Sequence, residues 1–256
     1  MDILAVSDAP VKSLESMIVC SKGKLKNIEM IVSCGDLDRG YIEFLVDGLN
    51  QELFFVSGNH IVGQEKDDFS DESFYESVWE REKLFKDRKA IRIAGKKDLH
   101  GRIVAFKNYY LVGFGGSKWY SGWGNEFKEK EMAQVVRSVT RKLKILKLSD
   151  KLLKRPAREI IVISHAPVAG IHDMPDACHS GFECFRKALK DLEPVLWLHG
   201  HVHLNEGSKS NTTMTGNTTL VNVYGYKFLR LTKDRIEISN KTSIFDQPKA
   251  AASVLP

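Results

Sequence analysis

Apolar and polar residues in this chain come in blocks rather than in one-by-one alternation. Short runs rich in Ile, Val, Leu or Phe recur at Ile3–Val6, Met30–Val32, Leu53–Val56, Ile160–Ile163 and Val195–Leu198. Turn formers bound each run, and the length suits buried strands better than helices. Ser13–Leu25 and Ile42–Leu49 lie between the first three runs and have crossover length, which predicts βαβ units. Ile103–Phe106 and Tyr109–Val112, joined at Lys107-Asn108, predict a hairpin. Thr219–Val223, Lys227–Leu231 and Arg235–Ile238 predict a further antiparallel series. Two segments carry a helical pattern. Phe69–Phe85 is acidic, with Ser73 and Glu76 at capping-box spacing. In Glu126–Leu153, Met132, Val135, Val136, Val139, Leu143 and Leu146 recur at helical spacing. The reading is an α/β protein with a mixed sheet arrangement, helices outside and no internal repeat. A loose tail is expected over 248–256.

Composition narrows this picture. A length of 256 residues, with 43% hydrophobic and 28% charged positions, allows a substantial core and argues against disorder. The chain reads as one domain over 1–256. No apolar run reaches the roughly 18 residues of a membrane helix, so no membrane partner is expected. Met1–Val6 lacks the basic start of a secretory signal. The four cysteines form no C-x-x-C pair. Both features predict a reducing, cytoplasmic setting. The net charge of +5 permits an anionic partner without requiring one. Much of the positive charge crowds the 126–155 segment, at Lys128, Lys130, Arg137, Arg141, Lys142, Lys144, Lys147, Lys151, Lys154 and Arg155. Such a helix is either a solvated amphipathic face or a surface for nucleic acid or another anionic partner. Neither a P-loop nor a G-x-S-x-G elbow is present.

The chemistry gathers at the ends of the predicted strands, which offer Asp8, Asp36, Asn59, His165, His201 and His203. Ligands bind outside the carboxyl ends of strands in open α/β sheets. Six N/O donors from separate segments predict a metal site, and the carboxylate and imidazole set suits first-row ions. His201 and His203 are two apart, so in extended chain both face one way. A bridging carboxylate with flanking ligands can hold two ions about 3.5–4 Å apart, the spacing used for phosphoester chemistry.

The ordered series resembles the calcineurin-like metallophosphoesterases, whose blocks run D-x-H, G-D-x-x-[DR], G-N-H-[DE], H and G-H-x-H. Here they are Asp8, Gly35-Asp36-Leu37-Asp38-Arg39, Gly58-Asn59-His60, His165, and Gly200-His201-Val202-His203. The resemblance implies a four-layer α/β/β/α sandwich, two mixed β-sheets flanked by helices. It implies two divalent ions, with manganese favoured among Mn, Fe, Zn, Ni and Co. Asp36 would bridge them, Asp8 and His203 would hold the first, and Asn59, His165 and His201 would hold the second. A hydroxide shared by the ions would attack phosphorus, and His60 would protonate the leaving oxygen. The family pattern breaks twice. Pro10 stands where D-x-H has its histidine, and Ile61 where an acid follows Gly-Asn-His. Asp38, Arg39, His172 and His179 are candidate substrate contacts. The aromatic run Trp119-Tyr120-Ser121-Gly122-Trp123 is a candidate lid. The expected activity is hydrolysis of a phosphodiester or phosphomonoester, with diesters slightly favoured. A nuclease and a non-catalytic scaffold of the same fold are the alternatives. Oligomeric state is left open.

Overall fold

The computed structural model describes residues 1–20, 22–60, 92–122, 124–203 and 211–245. The expected acidic helix Phe69–Phe85, Ile61, Trp123 and the tail from Pro248 lie outside these residues. In chain order the elements begin with β1 (Asp2–Ser7), α1 (Lys12–Cys20), α2 (Lys22–Leu25), β2 (Met30–Ser33), α3 (Arg39–Leu49) and β3 (Glu52–Phe55). They continue with β4 (Arg92–Ile93), β5 (Lys96–Lys97), β6 (Ile103–Phe106), β7 (Tyr109–Phe114), β8 (Ser117–Lys118) and β9 (Glu126–Phe127). Next come α4 (Glu129–Leu152), β10 (Glu159–Ser164), α5 (Glu183–Leu192) and β11 (Leu196–His199). The last strands are β12 (Thr212–Thr215), β13 (Thr218–Asn222), β14 (Gly225–Leu231) and β15 (Ile236–Ser239).

Two sheets dominate. One has the order β15-β14-β1-β2-β3, the other β12-β13-β11-β10-β7-β6. Within the first, β1, β2 and β3 are parallel, with Ile3 opposite Met30 and Met30 opposite Glu52. Within the second, β7, β10, β11 and β13 are parallel. The continuous apolar runs follow from this placement, since each strand buries both of its faces. Ile3, Ala5, Met30 and Val32 point between the sheets, against Leu111, Ile161, Ile163, Leu196 and Leu198. Their neighbours Leu4, Val6, Ile31 and Leu53 pack on Leu14 and Ile18 of α1 and on Ile42 and Leu45 of α3. On the far side, Tyr110, Val112, Ile160, Val162 and Trp197 pack on Met132, Val136, Val139 and Leu143 of α4 and on Phe185 and Leu192 of α5. The result is the expected helix–sheet–sheet–helix sandwich. Each fully buried aliphatic side chain contributes about 1.5–3 kcal/mol.

Two local expectations are revised. The basic helix begins at Glu129, not Glu126, and Lys128 N–H donates to Glu131 Oε2 at 2.7 Å across its first turn. Glu126 instead lies in β9, where its carboxylate takes the N–H groups of Tyr120, Ser121 and Gly122. That closes a loop, a cooperation between separated residues that helical periodicity does not encode. The expected C-terminal antiparallel series is divided between the sheets. β13 pairs parallel to β11, whereas β14 runs antiparallel to both β1 and β15. The register of β14 on β1 is marked by a buried bidentate pair, Arg230 to Asp2, with both contacts at 2.9 Å. Among the described residues no helix is long and apolar enough to cross a membrane.

Candidate metal centre

Because β1, β2 and β3 are parallel in one sheet and β10 and β11 in the other, their C-terminal ends form two rows of turns. Bonds between the sheets join those rows. The Asp8 carboxylate accepts the His201 N–H at 3.0 and 3.1 Å, and His165 Nδ1 reaches the Cys34 carbonyl at 2.8 Å. Asp8, Asp36 and His201 all have left-handed backbone, with φ of 64°, 57° and 68°. That conformation costs a non-glycine residue about 1–3 kcal/mol and persists only where its surroundings enforce it. Here it turns each side chain back over the strand ends. Close approach also explains two motif glycines. A Cβ on Gly58 would sit 1.8 Å from Asp36 Oδ1, and one on Gly200 would sit 1.9 Å from Ser7 Oγ.

The innermost cluster is Asp36, His165 and His201, whose ligand atoms all lie within 4.8 Å of one another. His165 is fully buried, with Nε2 2.8 Å from Asn59 Oδ1 and 3.3 Å from Asp36 Oδ2. Its Nδ1 already donates to Cys34, so Nε2 carries a lone pair facing two oxygen acceptors. Such a convergence requires a positive centre. Without one, the imidazole must take a proton. Burial pulls the His165 pKa down, but the Asp36 and Asp8 carboxylates outweigh it and raise the pKa to about 9. Burial likewise pushes Asp36 up, yet His165 and His60 bring it below the ordinary carboxylate range. Burial wins at Asp8, which is raised, and at His201, which falls to about 3. His201 Nε2 donates to the Cys178 carbonyl at 2.7 Å, leaving Nδ1 as the bare nitrogen. Both imidazoles thus have one nitrogen anchored to a carbonyl and one free to ligate, the arrangement that orients metal-binding histidines. The donor set fits a divalent ion.

His203 flanks this cluster, with Nε2 4.0 Å from Asp8 Oδ1 and its ring 4.8 Å from Tyr224. His60 stands at the mouth. Its N–H donates to Asp36 Oδ1 at 2.9 Å, and its ring, 76% exposed, has Nε2 3.9 Å from Asp36 Oδ2. The His179 ring lies 5.4 Å from His201 and 6.5 Å from His203. The other candidate contacts are engaged elsewhere. Asp38 caps α3 by accepting the Gly40 and Tyr41 N–H groups, and Arg39 pairs on the surface with Glu43. His172 spends both ring nitrogens on His199 and Thr213, at 3.0 and 2.8 Å.

Two supporting residues carry no motif of their own: Cys178, whose carbonyl fixes His201, and His199, which closes β11. Tyr120, in the candidate lid, is a third supporting residue. The Tyr120 hydroxyl accepts from Asn59 Nδ2 at 3.2 Å, which turns Asn59 Oδ1 toward His165. Burial, with Cys178 beside it, pushes the Tyr120 pKa up to about 12, so the hydroxyl stays protonated.

A family model for calcineurin-like phosphoesterases matches residues 7–205. The chain belongs to that family, and membership supports a metal-dependent phosphoesterase in general. Solved structures share the fold. One crystal structure is 17% identical with a TM-score of 0.53, covering 93% of this chain and 98% of the other. The crystal structure of TT1561 from Thermus thermophilus is 14% identical with a TM-score of 0.52, over 93% and 98% of the two chains. No curated protein matches the sequence.

Proposed function

We propose that this protein hydrolyses a phosphodiester or phosphomonoester of modest size, using two divalent ions that share Asp36. Asp8 and His203 would hold the first ion, and Asn59, His165 and His201 the second. The observation that carries the reading is that Asn59 Oδ1 and Asp36 Oδ2 both face the His165 Nε2 lone pair, at 2.8 and 3.3 Å. Ions bound there would supply an acidified water and positive charge for the phosphoryl oxygens. Manganese suits the carboxylate, amide and imidazole set, in which no thiolate takes part.

The chain's own residues do the rest. Tyr120 and the Cys34 and Cys178 carbonyls hold Asn59, His165 and His201 in ligating orientation. His60 is anchored by its amide to Asp36 and leaves its imidazole open at the mouth. There it can deliver a proton to the departing oxygen. Asp36 also serves as the carboxylate facing His60, because Asp38 is committed to the helix cap. A retained leaving-group acid serves any phosphoester with a poorly leaving alkoxide, diester or monoester. All four cysteines are free, which suits a reducing, cytoplasmic setting.

The test is to strip the protein of metal and restore Mn²⁺, Ni²⁺, Co²⁺, Zn²⁺ or Mg²⁺ separately. Turnover of bis-p-nitrophenyl phosphate and p-nitrophenyl phosphate is then followed beside Asp36→Asn. The expected result is metal-restored turnover that the variant lacks. Bound metal with no turnover of either ester would overturn the enzyme reading in favour of a scaffold. A nuclease is the second reading, because α4 exposes Arg137, Arg141, Lys142, Lys144, Lys147 and Lys151. It requires single-stranded DNA or RNA binding that weakens steeply with salt.

A further inference from the structure

Pro10 leaves the first ion one protein ligand short, and proline offers no donor in its place. The structure brings another histidine toward His203 from the loop that follows β10. His179 lies 5.4 Å from the His201 ring and 6.5 Å from the His203 ring. Two imidazoles bound to one ion at about 2.0–2.1 Å have ring centres roughly 4.5–6.5 Å apart, depending on the angle between them. The separation from His203, the first ion's imidazole, falls at the upper end of that range, and His201 of the second ion lies on the other side. His179 is also held as a ligand is held. Its Nδ1 bonds to Asp176 Oδ1 at 2.9 Å, and the same oxygen accepts its backbone N–H at 2.9 Å. Its carbonyl accepts the Met174 N–H at 3.2 Å. The neighbouring Cys178 carbonyl is bonded to His201 itself. The carboxylate selects the Nδ1–H tautomer and leaves the Nε2 lone pair available, which is the carboxylate–histidine–metal arrangement.

We infer that His179, oriented by Asp176, is the protein ligand that replaces the missing histidine of the D-x-H block and completes the shell of the first ion. The inference rests on the metal-dependent reading above. It reassigns His179 from a substrate contact to a metal ligand and makes the loop after β10 part of the metal site. Asp176 is a positioning residue.

Metal binding tests this directly, without turnover. Mn²⁺ stoichiometry and affinity are measured by calorimetry and elemental analysis on the full chain, and Co²⁺ absorption reports the ligand field. Wild type is expected to bind two ions. His179→Asn should weaken the looser ion by at least 10–100-fold and leave the tighter one in place. Asp176→Asn should weaken the looser ion by about 10-fold. Restoring the family's residue in a Pro10→His/His179→Asn double variant should recover the lost affinity, which a merely misfolded loop would not do. Met174→Ala, an exposed change in the same loop, should bind as wild type does. If His179→Asn binds both ions with wild-type affinity, this inference is overturned and the phosphoesterase reading stands. If wild type binds no ion at all, both fall together.

Discussion

His165 and His199 are fully buried imidazoles at the ends of the adjacent parallel strands β10 and β11, yet in the metal-free chain their pKa values are driven in opposite directions. Burial lowers both. At His165 the Asp36 and Asp8 carboxylates reverse the effect and the pKa rises to about 9. At His199 no carboxylate intervenes, His172 adds to the burial, and the pKa falls to about 3. The hydrogen bonds agree. Thr213 Oγ1 donates to His172 Nε2, His172 Nδ1 donates to His199 Nε2, and His199 Nδ1 donates to the Gly200 carbonyl. Every member of that chain is satisfied while neutral. His165 instead points a lone pair at two oxygens and needs a cation. One side of the strand ends is therefore built to hold positive charge. The other is built to hold the Gly200 turn that carries His201. What a buried imidazole faces, rather than its depth, decides which job it does.

Breaking the charged side should produce the largest effect. Asp36→Asn removes the shared carboxylate, and metal-restored turnover should fall by more than about 100-fold, beyond the loss typical of a group that only orients a ligand. In the metal-free variant the His165 titration should drop well below about 9, which imidazole NMR would show. The neutral side is tested through pH. His199 has a folded pKa of about 3, below its ordinary value of 6.5, so the unfolded chain binds the extra proton between those limits. Its contribution to stability is complete above 6.5 and is lost as pH falls toward 3, by about 1.4 kcal/mol per unit. His199→Gln should make the metal-free protein lose about 2–3 kcal/mol less between about pH 6.5 and 4.5 in urea titrations. An unchanged acid slope would mean that the buried chain does not stay neutral.

Gly58→Ala probes the charged side through its backbone. The added methyl meets Asp36 Oδ1, so this side should lose about 1–3 kcal/mol of stability, and metal affinity with it. Thermal unfolding with and without Mn²⁺ would separate the two losses. The smallest effect is expected on α4. Lys144→Glu/Lys147→Glu/Lys151→Glu changes exposed residues and should move stability by less than about 0.5 kcal/mol per site, with turnover of the small esters unchanged. A nuclease would reveal itself there by a salt slope reduced by about one per lost phosphate contact.

Much of this protein is legible in its linear pattern. Strands buried on both faces must be apolar throughout, so β1, β2, β3, β10 and β11 stand out as short runs. The donors follow directly because strand ends are where parallel sheets present ligands. Local cooperation was less legible. Asp38 and Arg39 look like part of the site because they follow Asp36, but an aspartate before a helix satisfies open N–H groups first, and an arginine four residues before a glutamate pairs along the helix. His172 and His179 share one loop and one chemistry, and nothing in their spacing separates them. Packing sends one to His199 and Thr213 and the other to Asp176 beside His201 and His203.

Periodicity and strand-end chemistry are local properties, and they were enough to specify the layered α/β architecture, the family and the cast of candidate metal ligands. Three outcomes waited for the folded chain: which imidazole nitrogen is free, which buried histidine faces carboxylates, and that β13 and β14 part into different sheets. They depend on groups far apart in the chain, such as Cys34 with His165, Cys178 with His201 and Asp8 with the His201 amide, and these meet only when the two sheets close on each other.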